Sequence, residues 1–174
     1  DPAEGLVAGP RLSWMRAFTD NDVWLFAESS WHAGWGRLIP SGLTQPRYHV
    51  KSVSVRGRSV RTVVEITGMK SAGFLHETVW TLGKDGVLRL ENAVTPFGTM
   101  PPSIPRLGLS LKLDKALDDV QWYGRGPREN YVDRRTGSFV GLWSSTVDGL
   151  SEFYVRPQDN GCRSDVRWAS FADA

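Results

Sequence analysis

The 174-residue chain is 40% hydrophobic and 23% charged, the proportions of a globular fold long enough to bury a core. Its 21 basic and 19 acidic residues are dispersed along the chain, which argues against a nucleic-acid groove; no run of about 18 apolar residues could span a bilayer as a helix, and no basic-then-apolar leader is present. One cysteine, Cys162, excludes an internal disulfide framework, and three scattered histidines without CxxC or HExxH spacing leave no recognisable zinc site. Neither a nucleic acid nor a membrane is expected as a partner, and the compartment stays open.

In chain order, the first notable stretch is RAFTDND, residues 16–22. Asp20 and Asp22 flank Asn21, a set able to hold sugar hydroxyls or a hard cation through oxygen. The Gly and closing Glu of a calcium loop are missing, and an Asx turn or helix N-cap would use the same residue types. Residues 23–43, with Trp24, Trp31 and Trp35 among Gly34, Gly36 and Pro40, predict a loop or short helix wrapped over a sheet. In 46–56 the apolar parity changes between Val50 and Val53, as a β-bulge requires. Val60, Thr62, Val64 and Ile66 then share one strand face, and Phe74, His76, Thr78, Trp80 and Leu82 share another. GKDG at 83–86 followed by VLRLENAV reads as a hairpin.

PFGTMPPSIP, residues 96–105, carries four prolines, which remove ladder donors, so it predicts a connection between strands or sheets. Leu107, Leu109, Leu111 and Leu113 lie on one side of the next strand, as if half buried against a core. WYGRGPRENYVDRR, residues 122–135, crowds aromatic rings and charges between turn formers. Its acids Glu129 and Asp133 are expected to pair with the neighbouring arginines in a rigid connection, rather than to act as a catalytic carboxylate pair. In VRPQDNGCRSDVRW, residues 155–168, Pro157 and Asn160-Gly161 set turns. Arg156, Gln158 and Asn160 supply donors and acceptors that could read a polyol or satisfy backbone groups at a strand end. Cys162 is expected to be a packed, inert thiol. The eight tryptophans suit either a large core or stacking on sugar faces. No repeat or linker divides the chain, so residues 1–174 are read as one mainly β, antiparallel domain.

RAFTDND, PRLGL at 105–109, WYGRGPRENYVDRR, STVDGL at 145–150 and VRPQDNGCRSDVRW, in that order, resemble the C-terminal, small-chain domain of family 2 glycoside hydrolase β-galactosidases. The resemblance runs from about Arg16 to Trp168. It implies a β-sandwich of the large, galactose mutarotase-like kind, incomplete at its C-terminus. Phe18 stands where the family usually has Pro, and Asp159 where it has Glu. In the family the domain continues past the position matching Trp168 and brings a tryptophan to the galactose site. If the strands of that continuation belong between or beside those present, unpaired edges and apolar sheet surface are left, and the chain alone is expected to be marginally stable or self-associating.

The resemblance implies a parent that hydrolyses terminal β-linked galactose with retention, using two glutamates on a separate (β/α)8 barrel upstream. No residue of this chain is therefore expected to be catalytic. The implied partners are that barrel or a large subunit, the galactoside substrate and an oligomeric parent. Magnesium, and sodium in some members, would serve the parent through ligands outside this chain, so no cofactor is expected here. Carbohydrate contact is expected at Asp20, Asn21, Asp22, Arg156, Gln158 and Asn160. Two other readings are a free-standing carbohydrate-binding module, which would present an exposed row of Trp, and a mutarotase-like epimerase drawing its acid and base from His32, His49 and His76.

Overall fold

The computed structural model describes residues 6–20, 22, 35–69 and 72–173. The fold is mainly β, as the alternation predicts. Its strands are β1 (Leu6–Ser13), β2 (Arg47–Arg56), β3 (Ser59–Thr67), β4 (Gly73–Leu82), β5 (Leu88–Phe97), β6 (Gly108–Leu113), β7 (Asp119–Gly126), β8 (Phe139–Thr146) and β9 (Trp168–Ala172). A short helix, α1, spans Trp35–Ser41, and a 3-10 turn spans Asp148–Leu150. Among the described residues the sheets are β1-β6, β2-β3-β4-β5 and β8-β7-β9; none closes into a barrel. The chain gathers into two compact units. Of the described residues, the first comprises 10–16, 22, 35–69 and 72–110; the second comprises 6–9, 17–20 and 111–173.

The first unit is built on the antiparallel meander β2 to β5. Val60, Thr62, Val64 and Ile66 of β3 lie directly opposite Trp80, Thr78, His76 and Phe74 of β4, so the two predicted faces are one face. The register slips between Val50 and Ser52, leaving Lys51 as the extra residue of the expected bulge. The GKDG turn closes β4 onto β5: Gly83 N–H donates to the Val87 carbonyl at 2.8 Å, and Gly86 adopts φ 79°, which glycine tolerates without strain. Under one end of the sheet, Leu12, Trp14, Leu38, Leu43, Ile66, Ala72 and Phe74 form the core. The Trp14 ring packs on Phe74 with centroids 5.4 Å apart, and its Nε1 donates to the Leu43 carbonyl at 2.9 Å. Helix α1 supplies Leu38, so the expected short helix over the sheet is found at its C-terminal part. Trp24, Trp31 and residues 23–34 lie outside the described residues.

Two expectations need correction here. Pro96 stands inside β5, opposite Phe74, because β5 is the last strand in its sheet's order and needs no donor on its free side. The proline-rich connection therefore starts at Gly98, and it leads to β6, which belongs to a different sheet. Leu107, Leu109 and Leu111 are exposed rather than half buried. Alternation fixes which side of a strand is apolar, not whether anything covers it.

In the second unit β7 is central, and Val120, Trp122, Gly124 and Gly126 form its buried face. The opening half of WYGRGPRENYVDRR is thus a strand, not a connection: Trp122 faces Trp143 of β8 and Ala169 of β9. Gly124 permits a close crossing, since a Cβ there would lie 2.7 Å from the Val166 Cα. Backbone bonds from Arg125 N–H to the Ser164 carbonyl (3.1 Å) and from Arg167 N–H to the Tyr123 carbonyl (2.8 Å) hold that crossing.

Candidate functional site

The densest polar constellation lies in the second unit, where residues 125–135 meet residues 150–165. Glu129 is buried and accepts hydrogen bonds from the Tyr154 hydroxyl and Arg134 on one oxygen and from the Gly161 N–H (2.8 Å) on the other. Arg134 also donates to the Tyr154 oxygen at 3.1 Å and lies 5.4 Å from the Tyr131 ring centroid. Burial pushes the Glu129 carboxyl up, but Tyr154, the Gly161 N–H and Arg134 together outweigh it and hold the group below the usual carboxylate range. Burial, with Glu129 and Asp159 nearby, pushes the Tyr131 hydroxyl up to about 12, and that hydroxyl donates to the Asp159 carbonyl at 3.2 Å.

Around this carboxylate the chain satisfies itself almost completely. Fully buried Asn130 donates from its side chain to the Arg128 carbonyl at 3.1 Å and accepts from the Ser164 N–H (2.9 Å) and hydroxyl (2.5 Å). Asp165 accepts from Arg125 Nε at 2.6 Å and lies 3.5 Å from Arg135; Arg125 above all holds its carboxyl below the usual range. Arg163 donates to the carbonyls of Leu150 (2.7 Å), Gly161 (3.0 Å) and Pro127 (3.1 Å), with its guanidinium carbon 5.4 Å from the Trp122 ring centroid. Asp133, expected to pair with an arginine, is exposed and has no ion-pair partner among the described residues. Cys162, expected to be packed, is exposed, because its backbone rather than its side chain is the anchor: its carbonyl accepts from Asn130 N–H at 2.8 Å.

The six expected carbohydrate-binding residues are distributed unevenly. Asp20 and Gln158 are joined in both directions, Asp20 N–H to Gln158 Oε1 and Gln158 Nε2 to Asp20 Oδ2, each at 3.1 Å. Asn160 accepts from Glu152 N–H at 3.1 Å and donates to the Gln158 carbonyl at 2.9 Å, so these three residues brace one turn. Arg156 is exposed and makes no side-chain hydrogen bond to a described residue. Asp22 is gripped by both Arg16 Nη groups, at 2.5 and 3.1 Å. Asn21 lies outside the described residues. Sequence reasoning missed Tyr154 as the clamp on Glu129 and Asp165 as the partner of Arg125, which lie 25 and 40 positions away along the chain. No local pattern signals pairs so distant.

Two cavities accompany these groups. One of about 320 Å³ is lined by Arg128, Glu129, Arg134, Glu152, Phe153 and Tyr154. The other, about 380 Å³, lies in the first unit against Tyr48, Thr62, His76 and Trp80. His76 is buried, with Nε2 2.9 Å from Asn92 Oδ1, while His49 lies on the opposite face of the same sheet. These two histidines cannot flank one sugar ring, and His32 lies outside the described residues. Among the described residues no group of three or more His, Cys, Asp or Glu could hold a metal ion. Glu129 remains ionised at neutral pH with both oxygens engaged, the reverse of the protonated, substrate-facing acid that glycoside cleavage needs. The arrangement can hold a surface rigid.

Against known proteins, the family described as beta galactosidase small chain matches residues 3–174. The chain belongs to this family. It is 36% identical over 172 residues to a β-galactosidase of Priestia megaterium, covering 98% of this chain and 16% of that protein. A β-galactosidase of Vibrio cholerae is 33% identical over 165 residues, covering 90% of this chain and 16% of that protein. One of Aeromonas hydrophila is 46% identical over 88 residues, covering 48% of this chain and 8% of that protein. This small-chain sequence therefore spans about one sixth of the length of the first two relatives.

Proposed function

We propose that the chain is an accessory, non-catalytic domain of a β-galactosidase that hydrolyses terminal non-reducing β-D-galactose residues with retention. The observation that carries this reading is the small-chain match over residues 3–174 in relatives about six times longer. The state of Glu129 supports it: the one buried carboxylate among the described residues is spent on bracing the chain. In this reading residues 1–174 act as one domain that packs on the catalytic barrel or large subunit, walls part of the galactoside site and contributes to an oligomeric enzyme. Two glutamates outside this chain perform the double displacement, and magnesium, with sodium in some members, is held by the parent's other domains. Direct carbohydrate contact by Asp20, Asn21, Asp22, Arg156, Gln158 and Asn160 is a subsidiary part of the proposal. Arg156 is the first of them to test, because Asp20, Asp22, Gln158 and Asn160 already serve bonds within the chain.

The test is hydrolysis of a chromogenic β-galactoside by the purified chain, by the barrel-containing remainder of its parent, and by the two mixed. Activity that arises only on mixing supports the accessory role. Activity of the chain alone would overturn it.

A further inference from the structure

The four-stranded sheet of the first unit has two chemically distinct faces. On one, the ladder aligns Tyr48, Val50, Val53 and Val55 of β2 with Ile66, Val64, Thr62 and Val60 of β3. The same face continues through Phe74, His76, Thr78, Trp80 and Leu82 of β4 to Pro96, Val94, Asn92, Leu90 and Leu88 of β5. It carries no Asp, Glu, Lys or Arg. Every charged residue of the ladder lies on the other face or at the bulge, where Lys51 pairs with Glu65 (3.3 Å) and Arg61 with Glu77. A sheet with charge pairs on one side and none on the other is patterned for water on the first and burial on the second.

The face is buried at Ile66 of β3 and along Phe74, His76 and Thr78 of β4, and open elsewhere. Ile66 and Phe74 sit in the core with Leu12 and Trp14, whereas on the same face Tyr48 is 60% exposed, Val50 58%, Val53 61%, Val55 72%, Leu82 41% and Leu88 43%. An uncharged sheet face of this kind, apolar but for Thr62, Thr78, His76 and Asn92 and with Arg11 the one charged residue lining the cavity against it, marks an interface rather than a solvated surface. It also continues the chain's own core, so an occupant would extend that core.

Resting on the accessory-domain reading above, we propose that this face is the docking surface for the remainder of the β-galactosidase chain. That remainder would lay a second apolar layer across Tyr48, Val50, Val53, Val55, Leu82 and Leu88. The relatives are long enough to supply such a layer, since about five sixths of their length lies outside the matched region. Over Val53, Val55, Leu82 and Leu88 the face offers an ion no partner, so the facing layer there should be uncharged.

The experiment compares the chain with Val53→Lys and Val55→Lys on the apolar face and with Ser54→Lys between them, which points to the other side. Binding to the barrel-containing remainder of the parent is followed by calorimetry, galactoside hydrolysis is followed in the same mixtures, and self-association of each chain by sedimentation. We expect each valine variant to bind the remainder about tenfold or more weakly and Ser54→Lys to bind as the parent chain does. Oxidative footprinting of the unsubstituted chain should show Tyr48 protected on mixing, a readout independent of any variant's folding. Restored activity with equal binding by all variants and an unprotected Tyr48 would overturn the inference while leaving the accessory role intact. Loss of self-association in the valine variants, with binding to the remainder unchanged, would overturn it in favour of a second copy of this chain. Failure of the unsubstituted chain both to bind and to restore activity would overturn both.

Discussion

The meander β2 to β5 and the segment from Arg125 to Asp165 solve the problem of rigidity in different ways. The meander is held by a repeating ladder and by an apolar face that packs under one end, so its stability is spread over many similar contacts. The second region, outside β8 and a 3-10 turn, is irregular between β7 and β9, and it is held by polar anchors, each bonded to partners far away in sequence. The first is tolerant in detail and dependent on its core. The second depends on single atoms. A buried acceptor left without a donor costs more than the bond itself contributed, so a network of this kind fails at one point rather than gradually.

The sharpest way to break the contrast is to empty the first core. Trp14→Ala removes a buried indole, its packing on Phe74 and its bond to the Leu43 carbonyl, and should lower stability by about 3–5 kcal/mol in urea melts. The corresponding point in the second region is Asn130→Ala, which strands the Ser164 N–H and the Arg128 carbonyl. A loss of about 2–4 kcal/mol is expected, with hydrogen exchange accelerated across 125–135 and 160–165 but not in β3 or β4. If both variants loosen both regions equally, the two are not separately held.

What the sequence revealed follows the same division. Alternation reports local geometry, so β3, β4, their common face, the bulge at Lys51 and the hairpin at Gly86 could all be read from neighbouring residues. The cover over a strand is a tertiary matter, which is why Leu107, Leu109 and Leu111 were expected to be half buried and are exposed. Glu129 was legible as an ion-paired residue because Arg134 is close in sequence. Its Tyr154 clamp was not, since a bond across 25 positions leaves no periodic trace. Of the expected carbohydrate set, the mutual bracing of Asp20 and Gln158 lies 138 positions apart and was equally invisible, although each residue type suggested a hydrogen-bonding role.

Smaller effects sharpen the comparison. Glu129→Gln keeps the shape and removes the charge facing Arg134, for an expected loss of about 1–2 kcal/mol at neutral pH. The folded-state carboxyl is held low, so its contribution is present above the ordinary carboxyl range and is lost as pH falls through the lowered value. The stability difference between parent and variant should therefore shrink on acidification, which urea melts from neutral to acidic pH would show. A difference that grew on acidification would mean the carboxylate is not the stabilised form. Least of all should Arg61→Ala matter: its pair with Glu77 is partly exposed on the charged face, and a change of about 0.2–1 kcal/mol is expected.

The central claim is that the chain completes a β-galactosidase without catalysing anything itself. The most direct measurement titrates the chain into a fixed amount of the barrel-containing remainder and follows galactoside hydrolysis. An accessory domain predicts a rate that rises from near zero and saturates at an equimolar ratio, with no rate from the chain alone. A rate that grows in proportion to the chain without the remainder, or that stays flat while binding is seen, would contradict it.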